Sequence, residues 1–145
     1  RDIADMKRQM PLRDISKRIQ NVRKDKEPLV MIGIRKPSLH FYSKQIVFYE
    51  SNKPEGIINI LERFKMDQRS NIFDKPNYYS ETFLVVIDKY SKERNYWSEI
   101  SKEKLGAYGI YDLLRIKKDD LNQYVTKFKR QGFISDWKKI KFEKF

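Results

Sequence analysis

Two carboxylates lie at the ends of segments that the sequence predicts as strands, where catalytic groups are often held. Glu50 ends the predicted strand 45–50, and Asp88 follows the apolar run 85–87 with Lys89 beside it. Carboxylates in such positions can hold magnesium. The chain has no acidic pair at a recognisable spacing followed by a catalytic lysine, so a metal-dependent nuclease is only an alternative hypothesis.

Other enzyme classes find less support in the residue types. His40 is the only histidine and cysteine is absent, which removes the usual zinc ligands and thiol nucleophiles. The order of residues selects no Ser-His-Asp arrangement, and the glycines match neither nucleotide-binding fingerprint. We therefore predict that the chain is not an enzyme and that it binds no metal and no cofactor.

The net charge points to a binding function. The chain carries a formal charge of +12, from 32 basic and 20 acidic residues. Residues 115–145 hold ten basic and four acidic side chains, so half of the excess lies in the last fifth of the chain. A concentrated excess favours a polyanionic partner such as nucleic acid. A lysine-rich genome would also give a basic protein, but not this uneven distribution.

Neither a membrane span nor an export signal is predicted. The longest apolar runs, 29–34 and 83–87, are far shorter than the roughly 18 apolar residues of a transmembrane helix. The absence of cysteine fits a reducing compartment. We expect an intracellular protein, nuclear if the source is eukaryotic, with no membrane partner and no small-molecule substrate.

The N-terminal part is predicted to mix helices with short strands. Apolar residues recur at three- and four-residue spacing over 12–22, after Pro11 has either broken an earlier helix or opened this one. Aliphatic and β-branched side chains favour a buried strand at 29–34, and residues 39–50 favour a hairpin. Pro54 at a first helical position begins a further helix.

Residues 67–79 are predicted to connect two subdomains. They are polar, contain Pro76 and show no hydrophobic period. They separate an N-terminal helical and β subdomain at 1–66 from a C-terminal subdomain at 80–145.

The first half of the C-terminal subdomain allows two interpretations. We favour a helix over 83–92, although five of the six residues in 82–87 prefer β structure. A second helix is predicted near 98–114, where Gly106 and Gly109 weaken the helical spacing enough for a turn to interrupt it.

The third predicted helix is the most regular element. It begins near Lys118 with Asp119 and Asp120 in its first turn, where the helix dipole favours acids, and ends at Gly132. Residues 135–145 place Trp137, Ile140 and Phe142 among lysines, as a short basic ribbon would. The buried stripe of the helix has the pattern LxxYVxxF and consists of Leu121, Tyr124, Val125 and Phe128.

Three features of this segment resemble the winged-helix superfamily. They are the buried stripe, the exit from the helix at Gln131-Gly132-Phe133-Ile134, and the tail 137–145. The resemblance implies an α+β, winged-helix-like fold with three helices and a small β wing, or tandem winged helices if 1–66 forms a second unit. Tandem units occur in plasmid replication initiators and in the C-terminal region of the middle, OB-bearing subunit of the telomere-capping CST complex. In architecture and residue usage the chain also resembles that subunit, which implies a telomere accessory role through docking onto partner proteins.

The winged-helix resemblance implies a noncatalytic nucleic-acid-binding module of a telomere, replication or transcription assembly, with DNA favoured over RNA. In that use the third helix enters the major groove and the wing contacts the backbone. The predicted contacts are Lys118, Asn122, Thr126, Lys129, Arg130, Lys138, Lys139 and Lys141. The alternative is a protein-interaction domain without nucleic-acid contact, in which exposed aromatic residues form the docking face. Those residues are Tyr96, Trp97 and Tyr108.

Overall fold

A computed structural model describes residues 3–69 and 80–137, and a single five-stranded sheet links the two segments. Over these residues the chain forms six helices and five strands. In chain order the elements are α1 (Ile3–Val22), β1 (Leu29–Ile32), α2 (Pro37–Ser43), β2 (Val47–Glu50), α3 (Pro54–Arg69), β3 (Thr82–Asp88), α4 (Lys89–Lys92), α5 (Asn95–Glu99), β4 (Glu103–Tyr108), β5 (Tyr111–Lys117) and α6 (Lys118–Arg130).

The sheet is mixed, with the strand order β2-β1-β3-β5-β4. β1 pairs in parallel with both of its neighbours, so that Leu29 lies opposite Val47 in β2 and opposite Leu84 in β3. β5 is antiparallel to β3, and β4 is antiparallel to β5. Parallel neighbours need crossover connections, which α2 and α3 supply. All four residues of β1 are buried, as a central strand covered on both faces requires.

Helices cover both faces of the sheet. On one face α1 and α2 pack through residues such as Leu12 and Leu39. On the other face α3, α5 and α6 pack through residues such as Phe64, Trp97 and Phe128. Successive residues of β3 point alternately to the two layers, so both sides of this strand are apolar. The result is a three-layer arrangement of helices, sheet and helices.

The predictions for the first part of the C-terminal segment are wrong. β3 is a central strand where we favoured a helix, because its β-branched and aromatic residues fit a pleated surface buried on both sides. Residues 103–117 form the antiparallel strands β4 and β5 where a helix was expected. Gly109, with a φ of 60°, lies in the turn between them. The alternative interpretation of 82–87 as a strand is therefore confirmed. The turn that we expected to interrupt the second helix is also present, between β4 and β5.

Two predictions for the N-terminal segment also need correction. Residues 39–43 belong to α2 and not to a hairpin strand, because Pro37 at the first turn starts a helix there. α1 is one helix that continues through Pro11, so the expected break does not occur. The helix that begins at Pro54, the strand at Leu29 and the bounds of α6 are confirmed.

The winged-helix arrangement as a fold class stays a prediction. Within 80–137 the order is β3, α4, α5, β4, β5 and α6. The basic ribbon was expected over 135–145, and all but its first three residues lie outside the described part of the chain. The division at 67–79 also stays a prediction. The sheet takes β1 and β2 from the segment before this division and its other three strands from the segment after it.

Gly33, directly after β1, provides a test of the packing at this end of the sheet. Its φ is 87°, in the left-handed region that favours glycine, and an added Cβ would clash with Ser91 Oγ and Asp88 Oδ1. We expect Gly33→Ala to lower the free energy of unfolding by roughly 3 kcal/mol, because left-handed strain and overpacking add together. Urea unfolding measures this loss.

Gly132→Ala is the matched control. Gly132 has a φ of 96°, but beyond its chain neighbours no atom of the described residues lies within 4 Å of the position that its Cβ would take. This variant should lose only the backbone contribution, roughly 1–2 kcal/mol. Equal losses in the two variants would contradict the close packing of Asp88 and Ser91 on Gly33.

Candidate functional site

An ion pair between a buried carboxylate and an arginine lies at the end of the sheet where β1 and β3 begin. Glu27, two residues before β1, is 0% exposed, and Arg115 belongs to β5. Arg115 Nε donates to Glu27 Oε2 at 2.9 Å and Nη2 donates to Oε1 at 3.0 Å, which is the bidentate geometry of a strong pair. Arg115 Nη2 also donates to the carbonyl oxygen of Val22 at 2.6 Å. The guanidinium thus ties the end of α1 to the sheet.

Further donors complete the surroundings of the Glu27 carboxylate. The Thr82 hydroxyl donates to Oε2, and the backbone N–H of Lys24 donates to Oε1 at 3.1 Å. Burial alone would raise the pKa of Glu27, but the hydrogen bonds from Arg115, Thr82 and Lys24 and the charge of Arg115 outweigh it, so that the pKa is lowered. The hydrogen bond to Glu27 in turn raises the pKa of Arg115. Both groups are therefore ionised at neutral pH.

A pocket of about 270 Å³ opens beside this ion pair. It lies where β3 and β4 begin and β5 ends. Pockets for drug-sized ligands measure about 300–1,000 Å³, so this one suits a smaller molecule. Its lining combines four cationic side chains with two carboxylates and two hydroxyls: Lys24, Lys102, Arg115, Lys117, Glu103, Asp120, Thr82 and Ser101.

The lysines of the pocket differ in whether other groups of the protein hold their ammonium groups in place. Lys102 Nζ donates to the carbonyl oxygens of Trp97 at 2.8 Å and Ile100 at 2.9 Å, which fixes the ammonium group in place. Burial, together with the charge of a nearby lysine, lowers the pKa of Lys102. Lys24 and Lys117 are exposed, and neither forms an ion pair with another described residue. Their two ammonium groups are available to an anion.

The opposite end of the sheet, where β1, β2 and β3 end, is filled by side chains. The connections that follow β1 and β2 leave the sheet on opposite faces here. Open α/β sheets often bind ligands at such a switch point. Asp88 Oδ2 accepts from the Ser91 N–H at 3.2 Å, and Asn52 Nδ2 donates to Ser91 Oγ at 2.8 Å. Asp88 Oδ1 is buried and has no hydrogen-bond partner among the described residues. These atoms occupy the space above Gly33.

Glu50 ends β2 as predicted but belongs to a structural network. Its carboxylate accepts from Asn59 Nδ2 at 2.9 Å and from Arg63 Nη1 at 2.7 Å. Burial raises the pKa of Glu50 in spite of these bonds. β1 separates Glu50 from Asp88, and the described part of the chain contains no group of three potential metal ligands. The geometry therefore gives no support to the nuclease alternative.

Of the predicted nucleic-acid contacts, those that belong to the described residues do not line the pocket. Lys118 is half-buried with its ammonium 5.2 Å from the centre of the Phe64 ring, and burial lowers the pKa of Lys118. Lys138, Lys139 and Lys141 lie outside the described residues. The exposed surface of α6 carries Asn122, Thr126, Lys129 and Arg130.

The three predicted docking aromatics are not equally exposed. Trp97 is only 1% exposed and packs in the core. Tyr96 is half-buried and lies edge-on to Phe128, with the ring centres 5.6 Å apart. Tyr108 is also half-buried and packs against the core on the α1 side. A docking role for the two tyrosines stays a prediction.

Sequence reasoning missed Glu27 and Arg115, the ion pair beside which the pocket opens. The available signals were weak. Arg115 interrupts an otherwise apolar run, and Glu27 directly precedes Pro28 and the predicted strand. The two residues are 88 positions apart, so no local spacing connects them.

The comparisons with known proteins identify the family. Residues 22–132 match a family model described as "Cyanobacterial RgtA-type glycosyltransferase, C-terminal domain". The match covers well over half of the chain, and the chain therefore belongs to this family of glycosyltransferase C-terminal domains. None of the curated proteins matches it significantly.

Two solved structures of ArnT from Cupriavidus metallidurans are also similar to the chain. One is the apo state and the other is bound to undecaprenyl phosphate. Their sequence identities are 11% and 12%, and both have a TM-score of 0.48. In each case the similarity covers 74% of this chain and 20% of the solved chain. The present chain thus corresponds to about a fifth of the length of these structures.

The family overturns the nucleic-acid interpretation. The assignment to the winged-helix and CST families is wrong. The predictions of a DNA-binding telomeric or protein-docking module and of a chain that is not an enzyme are wrong as well. The same family match contradicts the predictions of a nuclear location, of no membrane partner and of no small-molecule substrate. The physical reason is that a basic surface and an amphipathic helix ending in glycine are generic features that unrelated folds share. No helix among the described residues is long and apolar enough to span a membrane.

The Glu27–Arg115 pair predicts a pH-dependent stability. Glu27→Gln would leave the Arg115 guanidinium, whose side chain is only 11% exposed, without its main counter-charge. We expect a loss of about 3 kcal/mol at pH 7. Because folding lowers the pKa of Glu27, the advantage of the native residue is present above the ordinary glutamate pKa. It should be lost as the pH falls through the lowered folded-state value. Urea unfolding from pH 7 to about pH 3 measures both effects.

Glu103→Gln serves as the control for this variant. The Glu103 side chain is 65% exposed, and its Oε2 lies 4.0 Å from Arg115 Nη1. Its removal should change the stability by no more than about 0.5 kcal/mol. A loss for Glu103→Gln as large as that for Glu27→Gln, or a loss that does not depend on pH, would contradict the central role of the buried pair.

Proposed function

We propose that the chain is the C-terminal domain of a larger glycosyltransferase and that it supports sugar transfer at an active centre in the preceding part of the polypeptide. The family match over residues 22–132 is the observation that carries this proposal. A C-terminal domain leaves the rest of such an enzyme on the N-terminal side of this segment. The question is then which surface of the domain meets that part.

The direction of α1 shows where the preceding chain would enter the domain. Val22, at its C-terminal end, is bonded to Arg115 at the pocket end of the sheet. Pro11 lies beside Gly109, in the β4–β5 turn at the other end of the sheet. A Cβ added to Gly109 would be 2.8 Å from Pro11 Cγ. From Pro11 the helix continues back to Ile3, a further distance of about 12 Å. The chain therefore enters opposite the pocket.

Two large exposed apolar side chains, Tyr90 and Ile110, lie at this end of the sheet, and we refer to them as the Tyr90–Ile110 patch. Tyr90 in α4 is 83% exposed, and Ile110 in the β4–β5 turn is 42% exposed. The backbone N–H of Lys89 donates to the Ile110 carbonyl oxygen at 3.0 Å, which places the two side chains on neighbouring segments. Large exposed apolar side chains favour protein contacts, and aromatic residues are enriched at their centres. We assign the Tyr90–Ile110 patch to contact with the rest of the enzyme.

The test replaces both residues of the patch in the full-length enzyme. Tyr90→Asp combined with Ile110→Asp introduces two charges into the proposed interface, which should lower glycosyl transfer at least about tenfold. The assay uses membranes with normalised enzyme levels and a sugar donor linked to undecaprenyl phosphate. This lipid is the ligand named for one of the compared ArnT structures.

Phe41→Asp is the control, because Phe41 is 75% exposed but lies on α2. It should leave transfer close to that of the native enzyme. Urea unfolding of the 145-residue chain checks that the patch variant is folded. The assignment fails if the patch variant is fully active, or if Phe41→Asp causes the same loss.

A further inference from the structure

We propose that the pocket beside Arg115 binds a sugar that carries a phosphoryl group. The phosphoryl part of this proposal follows from the pocket alone. The choice of a sugar as the remainder of the ligand rests on the proposed function. The pocket lies at the end of the sheet away from the Tyr90–Ile110 patch, so the two proposals concern different surfaces.

The cations of the pocket favour a phosphoryl group. Lysine ammonium groups bind phosphate as point charges, and two of those here are free of described ion pairs, Lys24 and Lys117. The Lys102 ammonium is fixed by backbone carbonyl oxygens, so its charge is held in the wall without further cost on binding. Arg115 is neutralised by Glu27 and acts mainly as a rigid part of that wall.

The carboxylates of the pocket exclude a bare anion as the best ligand. Glu103 and Asp120 line the same space as the lysines and would repel an isolated phosphate ion. Ionised carboxylates only accept hydrogen bonds, and sugar hydroxyls are suitable donors. A hexose phosphate satisfies both sets of side chains, because its phosphoryl group meets the lysines while its hydroxyls meet the carboxylates. The volume of about 270 Å³ suits a ligand of this size.

The pocket can be altered without risk to the fold. Lys24 and Lys117 are exposed, and substitutions at exposed positions usually change stability by no more than about 0.5 kcal/mol. Lys17 and Lys65 are also exposed and lie on α1 and α3 outside the pocket lining. The pairs Lys24→Glu with Lys117→Glu and Lys17→Glu with Lys65→Glu make the same change in net charge. Only the first pair changes the pocket.

The experiment is a calorimetric or NMR titration of the 145-residue chain with glucose 1-phosphate at low salt. We expect the Lys24→Glu, Lys117→Glu variant to bind at least about tenfold more weakly, because it replaces two attractive charges with repulsive ones. The Lys17→Glu, Lys65→Glu variant should bind within about twofold of the native chain, since its charges lie farther from the ligand. No binding to the native chain, or equal weakening in both variants, would overturn the proposal.

Three further probes define the ligand class: glucose, inorganic phosphate and farnesyl phosphate. Each should bind more weakly than glucose 1-phosphate, because glucose lacks the anion and the other two lack the sugar hydroxyls. Asp120→Asn should act in opposite directions on two of the ligands. It should weaken binding of glucose 1-phosphate by replacing one of the two acceptor oxygens with an amide donor, and strengthen binding of inorganic phosphate by removing a repulsive charge.

Tight binding of farnesyl phosphate or inorganic phosphate, equal to that of glucose 1-phosphate, would refute a sugar phosphate in favour of a lipid phosphate or a free anion. The titration uses no glycosyl transfer and is therefore independent of the proposed function. An enzyme with altered Tyr90 and Ile110 that loses transfer while its C-terminal domain still binds glucose 1-phosphate would separate the two surfaces.

Discussion

The buried ion pair between Glu27 and Arg115 is the interaction on which one end of the domain depends. A carboxylate removed from water is tolerated only if its oxygens are hydrogen-bonded and its charge is compensated. Glu27 meets both conditions through Arg115, the Thr82 hydroxyl and the Lys24 N–H. Because these donors come from β5, from the start of β3 and from the segment after α1, a single carboxylate fixes the relative positions of three parts of the chain.

The direction of β5 explains why this end carries a pocket. β1, β2 and β3 run parallel, so their beginnings lie together and their ends lie together. β5 is antiparallel to β3, and its last residues return to the end where β3 begins, with Thr82 opposite Lys117. Arg115 and Lys117 are thereby brought beside Glu27 and Lys24. The sheet end that commonly binds ligands in open α/β folds is instead filled by Asp88 and Ser91.

The sequence predicted elements whose signals are local and failed where the structure depends on distant pairing. Pro54 and the acidic first turn of α6 fix helix starts through backbone geometry and the helix dipole, which a short window reveals. The apolar run of β3 is too short for periodicity to separate a strand from a helix. Residues 105, 108, 111 and 114 have helical spacing by coincidence, since the turn at Gly109 divides them between β4 and β5. The site was missed for the same reason, because only the folded sheet brings Glu27 to Arg115.

Net charge was the least reliable guide to function, because it says nothing about what each charge contacts. Arg115 is neutralised by Glu27, and Lys118 lies over an aromatic ring, so neither belongs to a free basic face. The fold places the pocket and the Tyr90–Ile110 patch at opposite ends of the sheet, so that the two proposed functions lie far apart. β3 extends about 20 Å from Thr82 near the pocket to Asp88 near the Tyr90–Ile110 patch. A ligand in the pocket would therefore be held far from an active centre that contacts the patch. The arrangement favours capture of a charged sugar by the domain over participation of the pocket in the transfer step itself.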